Sequence, residues 1–173
     1  FDTSNIDVKI AGEVRGLELD QFIAKKEQKK MDRFIHLSLA ATHEAITDSN
    51  IEWTEQLQTK TGAIIGVGSG GLPAIEAGYE TILNRGPSKL TPFFIPKVIT
   101  NLASGHISMK YGLKGPNYTV TSACASGSHS IGDAAQFIRS GLCDVMIAGG
   151  AESTVCSLAV IGFMNMRALS KNN

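Results

Sequence analysis

Cysteine is scarce here, and the few present exclude a disulfide scaffold. The 173 residues hold only Cys124, Cys143 and Cys156. An odd, widely spaced set is not a disulfide framework. A reducing compartment suits it: the cytoplasm, with a mitochondrial matrix or a plastid as alternatives. Charge is also thin, at 18% of residues, below the usual quarter. Sixteen basic and sixteen acidic residues cancel, which leaves no nucleic-acid-binding signature. No apolar run approaches the roughly 18 residues that a membrane span needs. No Cys/His or carboxylate spacing suggests a metal site, and no cofactor is expected. Repeats, low-complexity tracts and linkers are missing as well.

What remains is a chain that is 43% hydrophobic with eighteen glycines. That is enough for a real core, in one domain or one half of a larger one. The opening, Phe1-Asp2-Thr3-Ser4-Asn5, reads as loop and not as a native start.

Hydrophobic periodicity places the elements. Lys26, Lys29, Lys30 and Arg33 share one face at helical spacing. Residues 33–48 read as an amphipathic helix with Phe34, Leu37, Ala41 and Ala45 inward. Thr61 to Val67 is short, apolar and glycine-bounded, a buried strand. Helices follow over 73–84 and 96–110, with Pro73 and Pro96 in their first turns. Thr119 to Ala123 reads as a strand, Ser126 to Ser140 as a helix closed by Gly141, and Asp144 to Ala148 as a third strand. Strands alternating with helices imply an α/β fold, a parallel sheet covered on both faces.

The chemistry concentrates at Thr119-Val-Thr-Ser-Ala-Cys124-Ala-Ser-Gly-Ser-His129. Cys124 stands where strand turns into helix, among small residues that let the backbone bend and a substrate approach. The arrangement is that of a nucleophile elbow. The helix N-terminus favours the thiolate by about 0.3–1 kcal/mol. That enriches the reactive form without completing a site. A buried structural cysteine is the plain alternative. Cys143 and Cys156, set among apolar neighbours, read as packing residues. So do His36, His43, His106 and His129.

At this point the sequence resembles a known family. SACASG around Cys124, DVMIAGGAES (144–153), PFFIPK (92–97), YGLKGPN (111–117) and GFMNMRALS (162–170) are similar to β-ketoacyl-[acyl carrier protein] synthases, most of all the elongating type. The resemblance runs along the whole chain. It implies a thiolase-like fold of layers α-β-α-β-α, of which residues 1–173 form most of the first half. The family's opening strand and whole C-terminal half, with its decarboxylating histidines, are expected elsewhere. The implied reaction passes an acyl group from acyl carrier protein to Cys124. A decarboxylative Claisen condensation with malonyl-acyl carrier protein follows. The isolated fragment is expected to be inactive, and the whole enzyme to be a homodimer.

The resemblance also assigns surfaces. Lys26, Lys29, Lys30, Lys89 and Arg167 match docking positions for the acidic carrier protein, although Ser88 stands where a relative has arginine. An ordinary solvated charged face is the alternative. Residues 81–132 hold no Asp or Glu but contain Arg85, Lys89, Lys97, Lys110 and Lys114. Ser69, Phe94 and Phe163 match positions lining the acyl pocket, with Phe94 reaching in from a partner subunit. Plain core aromatics are the alternative for the two phenylalanines.

Gly66-Val-Gly68-Ser-Gly70-Gly71 fits the G-x-G-x-x-G dinucleotide fingerprint, but no acidic residue follows at about 20 positions. A non-catalytic chain-length subunit is disfavoured by the presence of Cys124. A polyketide condensing domain is disfavoured by the pattern after Asp144.

Overall fold

The computed structural model describes residues 1–172. Three strands, β1 (Thr61–Gly66), β2 (Asn117–Val120) and β3 (Val145–Gly150), make one parallel sheet in the order β2-β1-β3. The helices are α1 (Lys25–Gln28), α2 (Arg33–Asp48), α3 (Glu55–Thr59), α4 (Leu72–Arg85), α5 (Phe94–Val98), α6 (Leu102–Tyr111), α7 (Ser126–Arg139) and α8 (Ser157–Asn165).

The central strand β1 explains the architecture. It is paired on both edges: Ile64 lies opposite Tyr118 on one side and Ala148 on the other. All six of its residues are buried. A strand covered on both faces reads as a continuous apolar run, as this one does. The chain steps from β1 to β2 at one edge and then crosses back over β1 to β3. Right-handed crossovers in opposite directions place their helices on opposite faces. Helices α6 and α2 therefore cover one face and α7 the other. The main core joins Phe34, Ile35 and Leu39 of α2 to Ala63 and Ile65 of β1 and to Ala103 and Ile107 of α6.

This topology leaves a crevice at the carboxyl ends of the strands, where α/β sheets bind ligands. The strand ends are tied laterally there. The Val67 N–H donates to the Val120 carbonyl at 3.0 Å, and the Ala151 N–H to that of Gly66 at 2.9 Å.

Several expectations need correction. Lys26, Lys29, Lys30 and Arg33 do not share one helix face. Helix α1 stops at Gln28, and α2 restarts at Arg33 behind an extended Asp32 whose carboxylate caps the Arg33 N–H. The buried residues of α2 are Phe34, Ile35, Ser38, Leu39, Ala40 and Thr42, while Ala41 and Ala45 are exposed and Leu37 half-buried. Ile35 and Leu39 outweigh the two alanines in apolar area and turn the helix toward the core. The helix expected over 96–110 is two, because Ile99 is extended and separates α5 from α6. The strand expected to reach Ala123 ends at Val120. Ala123 has φ 53°, outside any strand conformation.

Candidate active site

Cys124 is exposed at the turn between β2 and α7. Its neighbour Ala123 is held in the left-handed region at φ 53°, which costs a non-glycine residue about 1–2 kcal/mol. Ser126, at the first position of α7, supplies the restraint. The Ser122 N–H donates to its Oγ at 2.9 Å, and that Oγ donates to the Ala123 carbonyl at 2.7 Å. The Ser126 N–H donates to the same carbonyl at 3.1 Å. Ser126 is buried, so its end of these bonds is shielded from water. The thiol therefore stands on a fixed, sharply bent backbone at a helix N-terminus.

The elbow packs directly against the end of β1. A Cβ on Gly66 would lie 2.2 Å from the Ser126 carbonyl oxygen and 2.5 Å from the Gly127 nitrogen. Only glycine admits that approach. The residues around Cys124 then enclose a cavity of about 620 Å³. Gly68, Ser69, Glu152, Thr154 and Phe163 line it together with the elbow.

The structure thus brings Cys124, Ser69 and Phe163 to one cavity. It sets Phe94 elsewhere within the chain. Phe94 packs against Gly78 of α4 and lines a separate groove of about 410 Å³, with Arg33, Arg85, Lys89 and Lys97. Lys26 and Lys29 are exposed on and just after α1. Lys30 pairs with Glu27 at 2.8 Å, and its Nζ sits 5.6 Å from the Phe93 ring centroid. The basic stretch before α2 and the acid-free stretch after α4, distant in sequence, meet through Lys30 and Arg33. Arg167 lies beyond α8, exposed, with φ 59°.

The glycine-rich loop after β1 is filled by protein. The Ser69 N–H donates to the Glu152 carboxylate at 2.6 Å. A Cβ on Gly71 would lie 2.3 Å from the Lys97 carbonyl oxygen. A loop whose N–H faces a carboxylate is the wrong setting for a pyrophosphate. The dinucleotide reading fails on this geometry.

None of the four histidines lines the cavity. His129 Nδ1 is 2.7 Å from the Ser122 Oγ, so its ring braces the elbow from outside. His36 hydrogen-bonds the Gln28 carbonyl, and His43 the Tyr111 hydroxyl. Burial lowers the pKa of both His36 and His106. Cys143 and Cys156 are buried, and burial pushes both thiols up, so they are poor nucleophiles. Among the described residues, no three His, Cys, Asp or Glu side chains form a metal-binding group.

Sequence reasoning missed two residues. The sequence pattern marks Ser126 only as the first residue of a helix, and carries Glu152 only inside the DVMIAGGAES segment. The signal for Glu152 was an acid two residues past a strand's Gly-Gly end, where α/β sites are built.

The model of the β-ketoacyl synthase N-terminal domain matches residues 2–173. The chain is 42% identical over all its 173 residues to the 3-oxoacyl-[acyl-carrier-protein] synthase 2 of Vibrio cholerae, and spans 42% of that protein's length. Among solved structures, the ishigamide ketosynthase/chain length factor overlays with TM-score 0.85 at 29% identity, covering 98% of this chain and 42% of that one. A type II polyketide ketosynthase, in complex with its acyl-carrier protein, overlays with TM-score 0.83 over 91% of this chain and 45% of that one. At 20% identity, that likeness is one of fold. Its neighbours are ketosynthases with the thiolase-like fold, its family model runs from residue 2 to residue 173, and the chain therefore belongs to the β-ketoacyl synthase family.

Proposed function

We propose that Cys124 is the acyl-carrying nucleophile of a 3-oxoacyl-[acyl carrier protein] synthase of fatty-acid elongation. One observation carries this reading: an exposed thiol on a restrained elbow, lining a cavity large enough for an acyl chain. The Cys124 thiolate attacks the thioester carbonyl of an acyl group delivered on a carrier's phosphopantetheine arm. The tetrahedral intermediate collapses, the carrier thiolate leaves, and it takes up the proton that Cys124 gave. Malonyl-carrier thioester then loses carbon dioxide, and its carbanion attacks the Cys124 thioester. Cys124 leaves as thiolate, and the product is a 3-oxoacyl thioester two carbons longer. The family resemblance places the decarboxylating histidines in the C-terminal half of such synthases, and none of the four histidines of this chain lines the Cys124 cavity.

The partner is acyl carrier protein, whose acidity suits the meeting of Lys30, Arg33, Lys89 and Lys97. Lys26, Lys29 and Arg167 extend that basic surface, while Ser69, Phe163 and, from a partner subunit, Phe94 line the acyl path. A homodimer is supported by β2, which forms one edge of the three-stranded sheet and offers unpaired backbone groups to a second copy. Three unpaired cysteines, with a working thiol exposed, favour the cytoplasm. A chain-length subunit without activity is disfavoured by the thiol itself.

The test is intact mass of the full-length protein after incubation with acyl-[acyl carrier protein]. An acyl adduct on the wild type and none on Cys124→Ala supports the reading. An adduct that persists in Cys124→Ala, or no adduct on either, overturns it.

A further inference from the structure

We propose that Glu152 is a positioning residue that sets which acyl lengths the Cys124 cavity accepts; the inference rests on the acyl-carrying role of Cys124. The backbone delivers this carboxylate with little freedom. Past the end of β3, the Ala151 N–H is tied to the Gly66 carbonyl at 2.9 Å. Gly150 is pressed on the first turn of α7, where a Cβ would lie 3.1 Å from the Gly127 Cα. The side chain that follows is thereby aimed across the cavity at the loop after β1.

Its two oxygens have separate tasks. Oε2 accepts the Ser69 N–H at 2.6 Å, a contact bridging 83 positions of sequence. Oε1 accepts the N–H of Ser153 at 3.2 Å, which steadies the carboxylate from its own side. A hydrogen bond to an ionised acceptor is about twice as strong as a neutral one. Among the described residues no lysine or arginine forms a salt bridge with Glu152. Its acceptor capacity is directed to the backbone, not to an ion pair.

The loop it holds needs holding. Gly68, Gly70 and Gly71 give that segment wide backbone freedom, and Gly70 sits at φ 69°. The far side of the loop is backed by the chain at Lys97 and Val98. The near side, which carries Ser69 into the cavity, rests on Glu152. The carboxylate also occupies the narrow slot between loop and elbow. A Cβ on Gly68 would lie 2.9 Å from Oε2 and 3.6 Å from the Ala123 carbonyl oxygen. Ser69 and Glu152 both line the Cys124 cavity, so this contact holds the cavity side of the loop in place.

The experiment uses the full-length protein and three variants: Glu152→Ala, Glu152→Gln and Gly68→Ala. Single-turnover acylation of Cys124 is followed by intact mass, with short, medium and long saturated acyl groups on carrier protein. Backbone hydrogen exchange at Ser69 is measured alongside. Glu152→Ala is expected to flatten the length profile, changing the long-to-short rate ratio by about tenfold, and to speed exchange at Ser69. Glu152→Gln keeps a carbonyl acceptor and is expected to retain the wild-type ratio. Gly68→Ala, whose new methyl pushes the carboxylate aside, is expected to move the ratio in the same direction as Glu152→Ala. A Glu152→Ala protein with the wild-type ratio and wild-type exchange overturns the positioning role. So does a Glu152→Gln protein as altered as Glu152→Ala. Wild-type protein that takes no acyl group overturns the functional reading instead, and the specificity role falls with it.

Discussion

Ser126 donates twice to the Ala123 carbonyl, from Oγ at 2.7 Å and from N–H at 3.1 Å. The second bond belongs to any helix start, but the first is particular to a hydroxyl. With the Ser122 N–H also donating to that hydroxyl, Ser126→Ala removes two partly buried hydrogen bonds and strands one N–H. Each is worth about 1 kcal/mol net. We expect a loss of about 1–3 kcal/mol in denaturant unfolding and a slower acylation of Cys124. Unchanged values in both measurements would show that the elbow holds itself.

Gly66→Ala is expected to be more damaging. Its methyl would meet the Ser126 carbonyl oxygen at 2.2 Å, and both partners are backbone. Neither can rotate away, so β1 and α7 must separate. The cost is expected to be about 3 kcal/mol, the upper end for overpacking, and is read as a lowered melting temperature or a loss of soluble protein. Wild-type melting would mean that the sheet–helix contact is looser than the geometry states.

Ser69→Ile introduces a branched side chain at the cavity wall. We expect slower acceptance of long acyl groups relative to short ones, measured as acyl-enzyme formation across a length series. An unchanged length profile would remove Ser69 from the acyl path.

Stability is expected to fall on mild acidification. Burial lowers the pKa of His36 and His106 from the ordinary 6.5. The unfolded chain, which titrates near 6.5, then binds protons that the folded chain refuses. The stabilising contribution is complete above 6.5 and lost as pH drops through the lowered folded values. Asp32 works in the opposite sense: burial raises its pKa above 3.8. The folded state takes that proton first, and this favours folding as pH falls toward 3.8. Urea unfolding at pH 7.5 and 5.5, with His36→Gln alongside, separates these contributions. The variant should show the shallower acid loss. Equal pH dependence would exclude His36.

The amino-acid sequence by itself determined the class of fold and singled out Cys124 as the candidate nucleophile at a strand–helix junction. Thr61 to Val67 reads as a buried strand because it is short, apolar and glycine-bounded, and the structure forms β1 over Thr61–Gly66 with all six residues buried. Cys124 was marked by its small neighbours and by the helix that follows. Local pattern is enough for both, since each depends on residues a few positions apart. Tertiary structure decided the rest. Which stripe of α2 faces inward was settled by packing, because several apolar stripes of similar strength compete on one helix. The β2 strand stops short of Ala123 because Ser126 bends the elbow, an effect invisible to strand propensity. Glu152 meets Ser69 across 83 positions. Arg33 shares a groove with Arg85, Lys89 and Lys97 only once α2, α4 and α5 are packed. Contacts of that range depend on how three strands are ordered in space, and strand order is not written in any local window.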